Sequence, residues 1–383
     1  MPEAARLPRL RDLAAFAAAA RATSLGAAAR QAGLSQPALS QAIARLEARS
    51  GQALLARGPR GSFPSAAGAL LLERCARMDA QLAAGLAACG SATPPRLLTD
   101  TALDTHLAIT LAGSFAAAAR ARGIALPSLS RTARGLEATL GVPLYRRTAA
   151  GFVTAPGGAE LARRIALARI EIEQGLAELA ADPGRFRLGT LPLLPRRPIA
   201  LALAAAGAGL AVSAQDGSHA ALVALLRQGG IDAMLGALRG APPHPDLVEE
   251  PLRDDPFVVA CGAAHPGDAT PAGLAAAAWV VAAPPLPRRA VAEALFATLP
   301  ARPRILLETN AAETTIAVLR QGGAMALLSA QQVAATPGLR RLEVTLPPAP
   351  PRQIGLTLRR DWRPTAAQAA FLEALREACR SAG

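Results

Sequence analysis

Between Leu10 and Ala22 the apolar positions Leu10, Leu13, Phe16, Ala17 and Ala20 recur at helical spacing, so one face of a helix is apolar. Ser24 can cap a second helix running through Arg30. Gly33 behind it suits a sharp turn, because glycine adopts left-handed angles at little cost. Ser35 is a good N-cap, and Pro37 falls in the first turn, where a missing N–H is tolerated. The third helix is expected to run to about Arg49. Leu39, Ile43 and Leu46 fall on one face and should be buried, which leaves Gln36, Ser40, Gln41 and Arg45 on the other. Leu54–Pro64 is extended and rich in Gly, Pro and Arg. A long helix follows, with Leu71, Cys75, Met78, Leu82 and Leu86 in steps of four, three, four and four, close to a coiled-coil seam.

The pattern then begins again. Ser24–Leu72 aligns without a gap on Ser114–Ala162, an offset of 90 residues (114 − 24), with 19 identities in 49 positions. Alanine matches count for little in so alanine-rich a chain. Arg30/Arg120, Gly33/Gly123, Pro37/Pro127, Leu39/Leu129, Ser40/Ser130, Leu46/Leu136, Glu47/Glu137, Gly51/Gly141, Leu54/Leu144, Arg57/Arg147, Gly61/Gly151 and Gly68/Gly158 count for more. The offset is too long for a solenoid and reads as a duplicated domain. Leu161, Ile165, Ala168, Ile172 and Leu176 repeat the seam, and Gly90–Asp100, with Pro94-Pro95, is a short linker between the two long helices.

Two helices joined by a tight glycine turn, the second with a polar outer face, make a helix-turn-helix. Amide, hydroxyl and cationic side chains on that face are the types that read base edges and grip phosphates, and the Gly/Pro/Arg-rich stretch suits a wing on the DNA backbone. The run Ser24-Leu25, Ala28-Ala29, Leu34-Ser35-Gln36-Pro37-Ala38-Leu39-Ser40-Gln41, Ile43, Leu46-Glu47, Gly51 resembles the DNA-binding signature of LysR-type regulators. So does Ser114-Phe115, Ala118-Ala119, Pro127-Ser128-Leu129-Ser130-Arg131, Leu136-Glu137, Leu140-Gly141-Val142-Pro143-Leu144-Tyr145, Arg147. The copies depart from the family in opposite ways. The first keeps the recognition helix, but its wing Leu54-Leu55-Ala56-Arg57-Gly58-Pro59-Arg60 differs. The second keeps the wing Leu144-Tyr145-Arg146-Arg147-Thr148, but Ala125 replaces the capping Ser and Leu126 the Gln. DNA contacts are expected from Ser35, Gln36, Pro37, Ser40, Gln41, Arg45, Arg57 and Arg60, and from Ser130, Arg131, Arg134, Arg146 and Arg147, with the second copy gripping phosphates and reading bases less. A purely structural second copy is the alternative. In the family the long helix pairs antiparallel with that of a second subunit. Here the two helices of one chain are expected to pair with each other as an intramolecular pseudo-dimer, the alternative being pairing between chains in a homo-oligomer.

From Arg185 the pattern changes to alternating strands and helices. Strands are expected at Phe186–Leu191, Leu210–Ala214, Ile231–Leu235, Phe257–Cys261, Trp279–Ala283, Ile305–Leu307 and Ile354–Leu358. Helices are expected at Ser218–Arg227, Arg288–Thr298, Ala311–Arg320 and Thr365–Arg380. Arg187-Leu188-Gly189-Thr190-Leu191-Pro192, Gly230-Ile231-Asp232-Ala233-Met234-Leu235-Gly236 and Asp361-Trp362-Arg363-Pro364-Thr365 resemble the effector domain of the same family. The resemblance implies two lobes of the periplasmic-binding-protein type with a ligand in the cleft. Strand ends and helix N-termini there suit anions, which makes Thr190, Pro192, Leu193, Ser218, Thr309 and Asn310 candidate effector contacts. Thr309 and Asn310 equally suit a helix cap, and Arg196 and Arg197 either an acidic effector or a solvated face. The fold expected is multidomain. A first winged helix-turn-helix spans 1–65 and its linker helix 66–90; a linker, 91–102, leads to a second winged unit, 103–155, and its helix, 156–182. An α/β effector domain covers 185–383, with lobe one at about 185–257 and 345–383 and lobe two at about 258–344.

Composition narrows the chemistry. The 383 residues carry a formal net charge of +13, and all 41 basic residues are Arg. Such a balance favours an acidic partner, and the absence of Lys excludes a Schiff-base or phosphate-loop lysine. Cys75, Cys89, Cys261 and Cys379, and His106, His219, His244 and His265, are scattered, without metal-ligand spacing. No secretory or membrane signal is evident, so a cytoplasmic, nucleoid-associated protein is expected, with no cofactor, no metal, no catalytic residue and no membrane partner. Asp254-Asp255 reads as a turn before Pro256, and no Gly-x-Ser-x-Gly elbow supports a hydrolase. The function expected is a sequence-specific transcription regulator that binds double-stranded DNA and responds to a small-molecule effector, with RNA polymerase a further candidate partner. The alternatives are a DNA-associated co-regulator with one degenerate unit and an enzyme using the α/β half.

Overall fold

A computed structural model describes residues 7–22, 24–58, 61–149, 151–191, 194, 196–206, 209–284 and 286–381. The chain divides into two compact units, Met1–Gly184 and Arg185–Gly383.

In the first unit α1 (Leu10–Arg21), α2 (Leu25–Ala32) and α3 (Gln36–Ser50) are followed by the hairpin β1 (Leu55–Gly58) and β2 (Gly61–Pro64), then by α4 (Ala66–Ala88). The same order returns as α5 (Asp100–Ala112), α6 (Phe115–Arg122), α7 (Leu126–Leu140), β3 (Tyr145–Thr148), β4 (Gly151–Thr154) and α8 (Pro156–Leu179). The second series opens at Asp100, inside the stretch expected to be linker. Local chemistry sets the starts and stops. Ser24 Oγ accepts from the Ala27 N–H at 3.2 Å and Ser35 Oγ from Ala38 at 3.3 Å, each cap worth about 1 kcal/mol. Gly33 closes α2 at φ 64°, a left-handed angle that glycine alone adopts freely.

Two repeated residues fasten each three-helix core to its hairpin. Glu47 Oε1 accepts from the Leu54 and Leu55 N–H groups at 2.8 and 3.3 Å, and Glu137 Oε1 from Leu144 and Tyr145 at 2.7 and 3.2 Å. Gly68 and Gly158 lie against the carbonyls of Leu54 and Leu144. A Cβ at Gly158 would stand 2.6 Å from the Leu144 oxygen, and one at Gly68 would overlap the Leu54 oxygen.

α4 and α8 pack antiparallel. Arg74 lies beside Gly175 and Glu178, Gly85 beside Leu161 and Arg164, and Gly157 beside Cys89. Leu71, Cys75, Met78, Leu82, Leu86, Leu161, Ile165, Ala168 and Ile172 are buried along this seam and share one apolar cluster with Phe16, Leu46, Leu136 and Leu144. Gly85 and Gly175 permit the close approach, since a Cβ at either would come within 2.9 Å of Arg164 Cβ or Arg74 Cγ.

The second unit holds two five-stranded mixed sheets. One has the order β6 (Ala211–Asp216), β5 (Arg185–Thr190), β7 (Ala233–Ala237), β14 (Gln353–Arg359), β8 (Leu247–Asp254). The other runs β11 (Arg304–Glu308), β10 (Ala278–Val281), β12 (Met325–Ser329), β9 (Phe257–Gly262), β13 (Leu339–Leu342). α9 (Arg197–Ala205), α10 (His219–Gln228) and α15 (Ala366–Ser381) accompany the first sheet. α11 (Pro271–Ala276), α12 (Pro287–Phe296), α13 (Ala312–Arg320) and α14 (Ala330–Ala334) accompany the second. Sequence patterning had pointed to neither β8, β12 nor β13. β8 carries Pro251 and three acidic residues, a poor central strand. It sits at the sheet edge with a register shift beside Pro251, where a missing N–H costs least.

Buried Asp232 accounts for one of the motifs. Its carboxylate accepts from the Arg187 N–H at 2.8 Å and from Arg187 Nη2 at 2.9 Å. Asp255 is more than a turn residue. Its buried carboxylate accepts from Arg352 Nη1 at 2.5 Å and from the Gln331 N–H at 3.1 Å, so it joins the two stretches by which the chain passes between the sheets.

Candidate nucleic-acid interface and effector site

The outer face of α3 stands as its sequence spacing required. Leu39, Ala42, Ile43 and Leu46 face the core, while Ser35, Gln36, Pro37, Ser40, Gln41 and Arg45 are exposed. Arg45 differs from its neighbours in having a partner. Its Nε and Nη2 donate to the two carboxylate oxygens of Asp12 at 3.1 and 2.6 Å, tying α3 to α1. Asp12 is buried and needs a cation, so the Arg45 fork is committed to the protein before any phosphate arrives. Sequence spacing had not singled out Asp12, which is polar on an otherwise apolar face. Arg57 lies in β1, with its side chain outside the described residues, as is Arg60 altogether.

On α7 the equivalent face carries Leu126, Ser128, Arg131 and Arg134, all exposed, with Ser130 half-buried. No side chain caps this helix at Ala125; the Ser128 and Leu129 N–H groups donate instead to the Ala125 carbonyl at 3.0 and 3.1 Å, and Pro127 has no N–H to satisfy. Arg146 and Arg147 on β3 are exposed as well. Arg134 Nε donates to the Ser130 carbonyl at 3.4 Å, and the other expected contacts of this copy keep their guanidinium groups at the surface.

The second core contains a polar pair that sequence reading passed over as a scattered histidine. His106 is buried. Its Nε2–H donates to the Gly158 carbonyl and its Nδ1 accepts from the Tyr145 hydroxyl, both at 2.8 Å, so the ring is satisfied as a neutral base. Burial holds its pKa below the ordinary value. Phe16 occupies the matching place in the first core, and the offset comparison was the available clue.

In the α/β unit the expected effector residues fall into two groups. Thr190, at the end of β5, is buried and its hydroxyl meets Asp216 at the end of β6. Arg196 Nη1 donates to Thr190 Oγ1 at 2.9 Å, and Nη2 to both Asp216 oxygens at 2.8 and 2.7 Å. The Thr190 hydroxyl first, then the Arg196 guanidinium, hold the Asp216 carboxyl below the usual range. Arg196 thus meets an acid of its own chain, and Asp216 joins the candidate site. Ser218 caps α10, accepting from the Ala221 N–H at 3.3 Å. The second group is Thr309 and Asn310. Asn310 Oδ1 accepts from the Ala283 N–H at 3.0 Å and Thr309 Oγ1 from Ala311 at 3.1 Å. Ala311 is the N-cap of α13 and no side chain caps that helix, so this pair braces the ends of β10 and β11 instead. Pro192 and Leu193 lie outside the described residues.

All four thiols are pushed up by burial, Cys75 to about 12 and Cys379 to about 11. Among the described residues no group of His, Cys, Asp and Glu could hold a metal, and no single helix is long and apolar enough to cross a membrane.

Comparison with known proteins agrees with this arrangement. The family model described as bacterial regulatory helix-turn-helix protein, lysR family, matches residues 10–69 and 101–159, and the LysR substrate binding domain matches 180–380. The HTH-type transcriptional regulator GalR of Pseudomonas putida is 28% identical over 387 residues, covering 97% of each chain. A probable hydrogen peroxide-inducible genes activator of Mycobacterium avium is 32% identical over 178 residues, 44% of this chain and 56% of that one. Among solved structures, full-length OxyR from Pseudomonas aeruginosa is 21% identical with a TM-score of 0.49, covering 74% of this chain and 95% of its own. CbnR in complex with its target DNA is 24% identical with a TM-score of 0.48, covering 72% and 98%. Neither matched family is an enzyme family. The substrate-binding match alone spans more than half of the chain, and with the helix-turn-helix matches ahead of it the protein belongs to the LysR family, as a DNA-binding transcription regulator that combines helix-turn-helix recognition with a small-molecule effector domain.

Proposed function

We propose that one chain carries two winged helix-turn-helix units and presents both to a single operator, so that the linker-helix pairing a LysR regulator otherwise makes with a second subunit is made within the chain. The antiparallel α4–α8 seam is the observation that carries this reading. α4 has 23 residues and α8 has 24, which at 1.5 Å per residue is about 35 Å. Each helix starts beside its own recognition unit and the two run opposite ways, so the units stand about one helix length apart. Half-sites of such proteins lie one DNA turn apart, about 34–36 Å.

Charge argues for this pairing over one between copies of α4. Arg74 is fully buried and is neutralised by Glu171 and Glu178 of α8. The α4 residues at the matching offset are Gln81 and Ala88, so two α4 helices would leave a buried cation without a carboxylate. The relative GalR aligns over 97% of both chains and so has the length for the same arrangement.

In this reading Ser35, Gln36, Pro37, Ser40 and Gln41 contact one half-site, with Arg57 and Arg60 of the wing on its backbone. Ser130, Arg131, Arg134, Arg146 and Arg147 hold the second half-site, chiefly through phosphates, while Arg45 serves α1. The effector is bound by Thr190, Ser218, Thr309 and Asn310 together with Asp216 and Arg196, and by Pro192 and Leu193. It shifts the placement of the DNA-binding units. Peroxide sensing, which the name of the mycobacterial relative brings to mind, is not supported, because Cys261 and Cys379 are buried in separate apolar clusters with raised pKa values.

Footprinting of genomic DNA by the purified chain, with native mass measurement of the complexes formed, tests the proposal. Two half-sites about one turn apart protected by one chain are expected. Protection of both half-sites only at two chains per duplex, with α4–α8 crosslinks exclusively between chains, would overturn it.

A further inference from the structure

We propose that the operator is asymmetric, and that Leu126 selects thymine in the second half-site through the base's 5-methyl group. This rests on the reading of two DNA-binding units in one chain. Leu126 occupies on α7 the place that Gln36 occupies on α3 (126 − 36 = 90), each the first residue of its helix and each followed by proline. Leu129, Ala133, Leu136 and Leu140 supply the buried face of α7, whereas Leu126 is 44% exposed and Ile124 just before it 40%. A folded protein gains nothing from an apolar group held in water at that point.

The surroundings say what covers it. Arg131 and Arg134 of the same helix and Arg146 and Arg147 of β3 are exposed in the same unit. Such cations suit phosphates. An exposed apolar side chain on the outer face of a helix that also carries exposed cations matches a DNA major groove, whose one apolar feature on the base edges is the thymine methyl. Arg131 stands where α3 has Gln41, and arginine pairs best with guanine where glutamine pairs with adenine. The two helices therefore read different bases, and a palindrome would suit only one of them.

Selection of duplexes from a random library by the purified full-length chain comes first. Two unlike half-sites about one turn apart are expected, the second containing thymine and guanine. Replacing that thymine by deoxyuridine removes only the methyl, and should lower affinity about three- to fivefold, the worth of one buried methyl. Leu126→Ala should bind both duplexes equally, and Leu126→Gln should shift the second half-site toward the first. Because Leu126 is exposed, both variants should fold, with unchanged circular dichroism. A palindromic selected site, indifference of the wild type to every thymine-to-uracil change in the second half-site, or an undiminished uracil effect in Leu126→Ala would each overturn the inference. Enrichment of a single half-site would overturn it too while leaving sequence reading by α3 intact. Enrichment of no sequence at all would remove the operator reading on which it stands.

Discussion

Arg74 Nη1 lies 2.8 Å from Glu171 Oε2, and no part of the Arg74 side chain reaches solvent. The same guanidinium donates to Glu178 from Nε and Nη2 at 3.0 and 2.8 Å, and to Gln174 at 3.2 Å. A cation so deep in the α4–α8 seam is tolerable only with this full set of acceptors. It makes the seam specific in partner and in register.

Replacing Arg74 by Ala should destabilise the chain by about 3–5 kcal/mol, because it strands Glu171 and Glu178 in an apolar seam. Arg77 also reaches Glu171, at 3.0 Å, which places the expected loss toward the lower figure. Urea unfolding followed by far-ultraviolet circular dichroism reads it. The triple variant Arg74→Met, Glu171→Met, Glu178→Leu should recover most of the loss; a triple variant as weak as the single one would show that the ion network is not the cause.

Gln36→Ala should weaken binding to the selected operator by about 1–3 kcal/mol and leave binding to random DNA nearly unchanged. The amide is exposed and has no structural duty on α3. Arg45→Ala should behave differently, lowering stability through the loss of Asp12's partner. Fluorescence anisotropy on specific and random duplexes separates the two, and equal losses on both DNAs would refute the role given to Gln36.

Two glycines should respond to alanine with opposite signs. At Gly68 a Cβ meets the Leu54 carbonyl, so Gly68→Ala should cost about 1–3 kcal/mol by overpacking. At Gly135, inside α7, nothing lies within 4 Å, so Gly135→Ala should add about 0.5–1 kcal/mol through helix propensity. Thermal unfolding midpoints moving the same way would contradict this packing.

His106 should make the first unit sensitive to acid. Its pKa is lowered in the fold by burial, so the unfolded chain takes up the proton first as pH falls. The stability it contributes is complete above the unfolded pKa, about 6.5, and is lost as pH drops below that value toward the depressed folded one. The double variant His106→Phe, Tyr145→Phe removes the titrating ring without leaving the hydroxyl unpaired. Its unfolding free energy should fall less between pH 7 and 5 than that of the wild type, and identical slopes would discount His106 as the source.

Elements governed by neighbours in the chain were legible in advance. Ser24, Gly33 and Ser35 act over three or four residues, and the buried stripe of α3 follows from helical spacing alone, so the recognition face could be drawn before any coordinates. β8 was not legible, because Pro251 and its acidic residues suit a strand only at an edge. Arg45 was misjudged for a related reason. Its exposure follows from spacing, but its partner Asp12 lies 33 residues away.

By itself, then, the amino-acid order determined the repeated module, its caps and turns, and which side chains of α3 and α7 face outward, since each depends on contacts within a few residues. Tertiary structure alone decided which residues of α4 and α8 meet along their seam, that Asp12 claims Arg45, and that Asp216 claims Arg196. Arg74 meets Glu171 across 97 residues of chain. Such pairings depend on how much water the surrounding packing removes, and a list of residues does not carry that quantity.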